Sequence, residues 1–209
     1  MSNSSSVTDS LLRTPYSVSS SASEQFLRFH LEPDITALLP IQHLSEVLTI
    51  PIGQIVPIFN LPAWVMGVYN WRGEVLWMVD LNHLIGLTPW YQQMSKGRQH
   101  TVLNESHSLA QPIKPVSIAH TAIVLHVRSR NATSTHLKSQ MLGVVVNRVE
   151  DIEWCNPDLI QSPSSSTVIP ELVPFLRGCW LKSNGDLLVV FDSEAIFAAM
   201  PKSDVSAGF

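Results

Sequence analysis

Apolar positions in this chain recur in alternation or in short unbroken runs bounded by Gly, Pro, Asn and Ser, a pattern that predicts strands. Phe26, Leu27 and Phe29, then Ile35 to Leu39, predict two strands joined by a Glu32-Pro33-Asp34 turn. Ile41 to Leu48 predicts a short amphipathic element with Leu44, Val47 and Leu48 on one side and Ser45 and Glu46 near the other. Pro51, Pro57 and Pro62 forbid a long helix and punctuate extended segments. Between Pro62 and Leu87, two apolar runs flank Arg72-Gly73, the signature of a hairpin in which glycine supplies the backbone freedom of a tight reversal. The second run, Val75 to Val79, ends at Asp80, which is placed to cap a short helix marked by Leu81, Leu84 and Ile85. Strand-like sequence resumes at Ile118–Val127, breaks at Ser129–Ser139 and returns at Met141–Val149. Phe175–Leu181, an Asn184-Gly185 turn, Leu187–Phe191 and a helix from Ser193 to about Met200 follow.

The two halves echo one another. Gly73-Glu-Val-Leu-Trp-Met-Val-Asp80 and Gly185-Asp-Leu-Leu-Val-Val-Phe-Asp192 share a glycine, an acid, five apolar residues and an aspartate before a short helix. Trp64 precedes Gly67 by the same step that Phe175 precedes Gly178, and each aromatic follows a proline, Pro62 or Pro174. Duplication, or two similar subdomains, is the reading. Short strands, Gly/Pro turns and few helices point to an all-β fold of two small β-barrels. Val75, Trp77 and Val79 form one strand face, Leu76 and Met78 the other. A barrel interior covers only one such face, so the second needs a sister barrel or another protein. Leu142, Val144 and Val146 alternate with Gly143, Val145 and Asn147 in the same two-faced way.

Composition narrows the function. Only 14% of residues are charged, against about 25% in soluble domains generally, so much apolar surface is hidden inside or handed to partners. A net charge of −4 argues against a nucleic-acid partner, since phosphate binders are basic. No apolar run approaches the ~18 residues of a membrane span, and the Ser-rich start does not read as a secretory signal. Cys155 and Cys179 are isolated, which fits reduced thiols and a cytoplasmic location. Residues 1–23 read as a disordered Ser-rich tail, 24–200 as the folded domain with a long surface loop at about 88–116, and 201–209 as a second tail.

Enzymatic chemistry finds no support. Nucleophile-elbow, P-loop and dinucleotide motifs are absent, and neither a cofactor nor a metal is expected. The eight histidines are scattered; His120 and His126 share a strand face, only a weak hint of metal. Asp80 and Asp192 are explained as caps. Arg72 reads either as a solvated turn arginine or as a docking residue bracketed by Trp71 and Trp77, arginine among aromatics being typical of interface hot spots. Glu46 is a surface carboxylate or the rim of an apolar groove. A small barrel that binds a small ligand or single-stranded nucleic acid is the alternative class.

The stretch Trp64-Val-Met-Gly-Val-Tyr-Asn-Trp-Arg-Gly-Glu-Val-Leu-Trp-Met-Val-Asp-Leu resembles the signature of the CheW-like coupling family of bacterial chemosensory systems. The likeness extends to Leu44-Ser-Glu-Val-Leu, to Leu142-Gly-Val-Val-Val-Asn-Arg-Val-Glu and to the Gly178…Gly185…Asp192 unit. It implies two five-stranded SH3-like barrels, intertwined in sequence, with a groove between them, and no catalytic activity. It implies as partners the cytoplasmic helical tip of a chemoreceptor and the regulatory domain of a histidine kinase, docked barrel end to barrel end. By that likeness Leu44, Val47 and Val145 line a receptor groove, while Glu46, Gly67 and Arg72 hold the receptor or shape the contact. Tryptophan at position 71 replaces a usual aliphatic residue and the 88–116 loop is long. Both suit a divergent member, such as one serving pilus motility.

Overall fold

The computed structural model describes residues 23–92, 119–129, 138–163 and 168–201; the expected tails and most of the 88–116 loop lie outside the described residues. Among the described residues ten strands form two five-stranded sheets. One sheet takes β3 (Leu44–Pro51), β4 (Val65–Trp71), β5 (Glu74–Asp80), β6 (Ala119–Ser129) and β7 (Lys138–Val146), in the order β3-β6-β7-β5-β4. The other takes β1 (Glu24–Leu31), β2 (Ile35–Pro40), β8 (Arg148–Cys155), β9 (Leu176–Leu181) and β10 (Leu187–Phe191), in the order β8-β1-β2-β10-β9. The orders are equivalent if β8, β9, β10, β1 and β2 stand for β3 to β7. The second sheet is therefore a circularly permuted copy of the first, which is inserted into it between β2 and β8.

The repeat holds atom by atom. The Asp80 N–H donates to the Trp64 carbonyl at 2.9 Å, and the Asp192 N–H to the Phe175 carbonyl at 2.8 Å. Register slips by one residue between Val65 and Gly67 against β5, and likewise where Leu176 faces Phe191 but Gly178 faces Val190. Each copy ties its β4 or β9 edge to the segment that follows the opposite edge strand, through Val56–Val68 in one and Gln161–Cys179 in the other. Asp80 caps α1 (Leu81–Leu84), its carboxylate accepting from the His83 N–H. Asp192 caps α2 (Ser193–Ala198) in the same way, accepting from Glu194 and Ala195.

Each sheet is apolar on both faces. Leu27, Phe29, Leu39, Val79, Ile123, Val144 and Phe191 belong to one core that joins the two sheets. Leu76, Met78, Ala122, Val124 and Val145 fill a separate core on the far face of one sheet, and Phe26, Leu38, Cys155, Leu188 and Val190 do so for the other. The second face of Val75–Val79 is covered by the joining core at Val79 and partly at Trp77, while Val75 stays exposed. Asn147 separates β7 from β8. Its N–H donates to the His30 carbonyl, and its Oδ1 accepts from the Glu32 N–H and from Asn82 Nδ2.

Two elements differ from the sequence reading, and both are edge strands. Ile41–Leu48 is a short 3-10 turn leading into β3, whose extra residue between Leu44 and Glu46 produces the helix-like spacing of Leu44 and Val47. The run from Met141 to Val149 spans two strands rather than one: β8 (RVEDIEWC) carries four charged residues and leaves even Ile152 and Trp154 exposed, so it has no apolar run to mark it.

Candidate functional site

The β4–β5 hairpin reverses through Arg72 and Gly73, with Trp71 opposite Glu74. Both turn residues have positive φ, 54° and 86°, as the two-residue turn matching strand twist requires. Asn70 Oδ1 accepts from the Gly73 N–H at 3.0 Å and closes the reversal. A non-glycine residue in the left-handed region costs about 1–2 kcal/mol, so Arg72 stands where Asn or Gly is favoured. Compensation comes from its neighbours. Its Nη2 donates to Glu46 Oε2 at 2.7 Å, and its Cζ lies 4.9 Å from the centre of the Trp71 ring. Trp71 Nε1 donates to the other carboxylate oxygen, Oε1 of Glu46. The Glu46 side chain, delivered from β3, is 26% exposed and that of Arg72 69%. An exposed ion pair contributes about 0–1 kcal/mol, and a cation over an indole about 0.5–1 kcal/mol, so the three groups together roughly offset the turn's strain.

Gly67 sits at the register slip with φ +136°. A Cβ there would overlap the carbonyl oxygen of Val56, the group that accepts from the Val68 N–H at 2.9 Å. Gly67 is thus needed for the close approach that ties residue 56 to β4.

Pairing carries one row across the whole sheet: Val56–Val68–Trp77–Leu142–Leu125–Leu44. Beside it, where the sheet meets α2, lies an apolar groove of about 510 Å³ lined by Val65, Trp77, Met141, Leu142, Phe197 and Met200. The same face leaves Val56 and Val75 exposed, the latter at 72%.

Of the six residues expected at the site, the structure brings Glu46 and Arg72 into contact. Leu44 and Val47 share the face turned toward the sister sheet, since their partners Leu125 and Ile123 both belong to the joining core. Leu44 is half-buried and Val47 is exposed at the sheet's edge. Val145 corrects the expectation: it pairs with Ala122 on the opposite face and is 3% exposed, so it packs an interior and lines no groove. Trp77 does not bracket Arg72; it packs against the joining core and lines the groove. Phe197 and Met200 were missed as groove residues, although their spacing of three on the α2 side is a helical-face signal.

The titratable groups serve structure. Asp80 is buried and accepts from the Trp90 N–H at 2.9 Å as well as from His83. Burial raises its pKa, against the pull of those backbone donors. His120 is buried edge-on to Trp90, ring centres 4.4 Å apart, and burial lowers its pKa. Among the described residues no three His, Cys, Asp or Glu converge as a metal site.

A model of the CheW-like domain family matches residues 25–200. No curated protein matches the chain. The crystal structure of scaffolding protein TtCheW from Thermoanaerobacter tengcongensis superposes with a TM-score of 0.54 at 16% identity, covering 82% of this chain and 90% of that one. At that identity what is shared is the fold.

Proposed function

The chain belongs to the CheW-like domain family, and from that membership we propose that it couples the cytoplasmic helical tip of a methyl-accepting chemoreceptor to the regulatory domain of a chemotaxis-type histidine kinase. Proteins of this family are non-catalytic scaffolds of chemotaxis signalling. The observation that supports the finer reading is the Glu46–Arg72 pair, its arginine in left-handed backbone at an exposed hairpin tip and its glutamate delivered from β3. Backbone conformations of this kind cluster at functional sites.

Glu46 and Arg72 contact the receptor tip, Leu44 and Val47 contribute apolar surface toward the seam, and Gly67 sets the backbone path beneath. The exposed strip of Val56 and Val75 offers a second apolar surface for the kinase. Signal passes by differential affinity: one receptor state binds better, and a coupling of about 1–3 kcal/mol biases kinase activity. No helix among the described residues is long and apolar enough to cross a membrane, and the protein works in the cytoplasm at receptor arrays. Trp71 and the long segment after Thr88 favour a divergent system such as pilus motility.

Co-sedimentation with a receptor cytoplasmic fragment and the kinase, followed by an autophosphorylation assay, tests this reading. The expected result is a ternary complex with altered kinase activity; neither association nor a rate change overturns it. Arg72→Ala loses receptor association while changing stability by less than ~0.5 kcal/mol, as for an exposed turn. An unfolded Arg72→Ala variant makes the arginine structural instead.

A further inference from the structure

We propose that Trp71 is a positioning residue that fixes Arg72 as an outward-facing donor fork for a carboxylate on the partner. The inference rests on the functional reading above, which places the partner at this tip, but its geometry stands alone. Glu46 has both carboxylate oxygens engaged, Oε1 by the Trp71 indole N–H and Oε2 by Arg72 Nη2. Each oxygen thus has one donor, and the carboxylate is held half-buried beneath the tip. The Arg72 guanidinium has the Trp71 ring against it at 4.9 Å and one amino group committed to Glu46; its remaining N–H donors belong to a side chain that is 69% exposed.

Asn70, the other polar side chain of the turn, is also occupied, its Oδ1 accepting from Gly73. Beside the exposed Glu74 carboxylate, the tip thus offers outward the free donors of the Arg72 guanidinium in a planar array. The complement to such an array is a pair of acceptor oxygens in one plane, as a side-chain carboxylate supplies.

Trp71 makes the fork a fixed one. Without an indole N–H, Glu46 Oε1 is unpaired and the carboxylate rotates to chelate Arg72 itself, using up a second donor. Without the ring, the guanidinium loses the plane against which it lies, and a long side chain with about 2 kcal/mol of rotamer entropy is freed. An aliphatic residue at position 71 packs against the same core but does neither job.

Two variants separate the functions of Trp71: Trp71→Phe keeps a ring and loses the N–H, and Trp71→Leu removes both. The side-chain Nε–Hε signal of Arg72 is followed by ¹⁵N NMR in the free full-length chain. It is sharp in the wild type, where the side chain holds one orientation, and broadens in Trp71→Leu and in Glu46→Gln. Affinity for a chemoreceptor hairpin fragment falls about tenfold in Trp71→Leu and less in Trp71→Phe, with urea midpoints retained. Replacing the fragment's tip carboxylates by amides makes wild type and Trp71→Leu bind alike, the signature of coupling in a double-mutant cycle. An unchanged Arg72 signal in Trp71→Leu, or a Trp71 effect that survives amide substitution, overturns the inference while leaving the adaptor reading intact. Absence of wild-type binding overturns the adaptor reading, and the Arg72 spectra still decide whether Trp71 positions it.

Discussion

Adding one methyl group at Gly67 tests whether the close approach of residue 56 to β4 is rigid. Two costs combine there. At φ +136° an L-residue is strained, which costs about 1–3 kcal/mol, and the new Cβ meets the backbone of Val56 and Pro57 rather than a side chain that could swing aside, adding about 1–3 kcal/mol of overpacking. Reduced freedom of the unfolded chain returns about 0.4–1 kcal/mol. The net expectation for Gly67→Ala is a loss of about 3–4 kcal/mol, which for a chain of this length lowers the melting midpoint by roughly 6–16 °C. Two companions isolate the contributions. Gly73→Ala, at φ +86° with nothing within 4 Å, carries strain alone. Gly178→Ala carries overlap alone, its Cβ falling 2.6 Å from the Gln161 carbonyl oxygen without positive φ. Urea unfolding followed by tryptophan fluorescence ranks the three. If Gly67→Ala costs no more than Gly73→Ala, the Val56 segment yields and the reasoning fails. The same series guards the functional assays, because lost partner binding in a Gly67 variant is informative only where folding is retained.

His120 has a pKa below its ordinary 6.5 because burial disfavours the imidazolium, so the unfolded chain takes up the proton first and stability falls as pH drops through 6.5. His120→Phe, which keeps an aromatic partner for Trp90, flattens a urea-midpoint profile over that range; Asp80, raised above 3.8 by burial, acts with opposite sign, and its effect is read in Asp80→Asn. Desolvation raises the Glu150 carboxyl but is outweighed by His30, Arg28 and Arg148, leaving its pKa below 4.5. Its contribution is present above 4.5 and lost as pH falls through the native value, so Glu150→Gln is less acid-sensitive than wild type, as circular dichroism against pH will show. Burial pushes the Cys155 thiol up to about 11 and raises that of Cys179 as well; at pH 8 both resist a thiol reagent in the native protein and react on unfolding, and fast native labelling of either contradicts its placement.

What was legible in the sequence was whatever local backbone chemistry dictates. The Arg-Gly reversal, the paired glycines at 67 and 178 and the two capping aspartates each announce themselves through turn or cap requirements, and the duplication follows from them. The edge strands were harder. β3 hides behind a bulge that shifts its apolar positions by one, and β8, with four charged residues among its eight, lacks the apolar run that marks a strand. Val145 shows the other limit. Alternation separates it from Val144 and Val146, but in a sheet covered on both sides neither set looks more buried than the other. The groove beside Trp77 needs Phe197 and Met200 from more than a hundred residues away, and the Glu46–Trp71–Arg72 cluster needs β3 beside the hairpin; no window of sequence contains either.

The inserted arrangement of the two sheets dictates an order of events at the ribosome. Residues 44–146 hold every strand of one sheet, so that half has all its pairing partners soon after Val146 emerges. The β1–β2 hairpin gains β8 soon afterwards, where Glu24 meets Cys155, but β10, where Ala37 meets Val189, only when nearly the whole folded region has been made. Until then Phe26 and Leu38, which end fully buried, face the solvent of a nascent chain, and it is this half that a chaperone must shield.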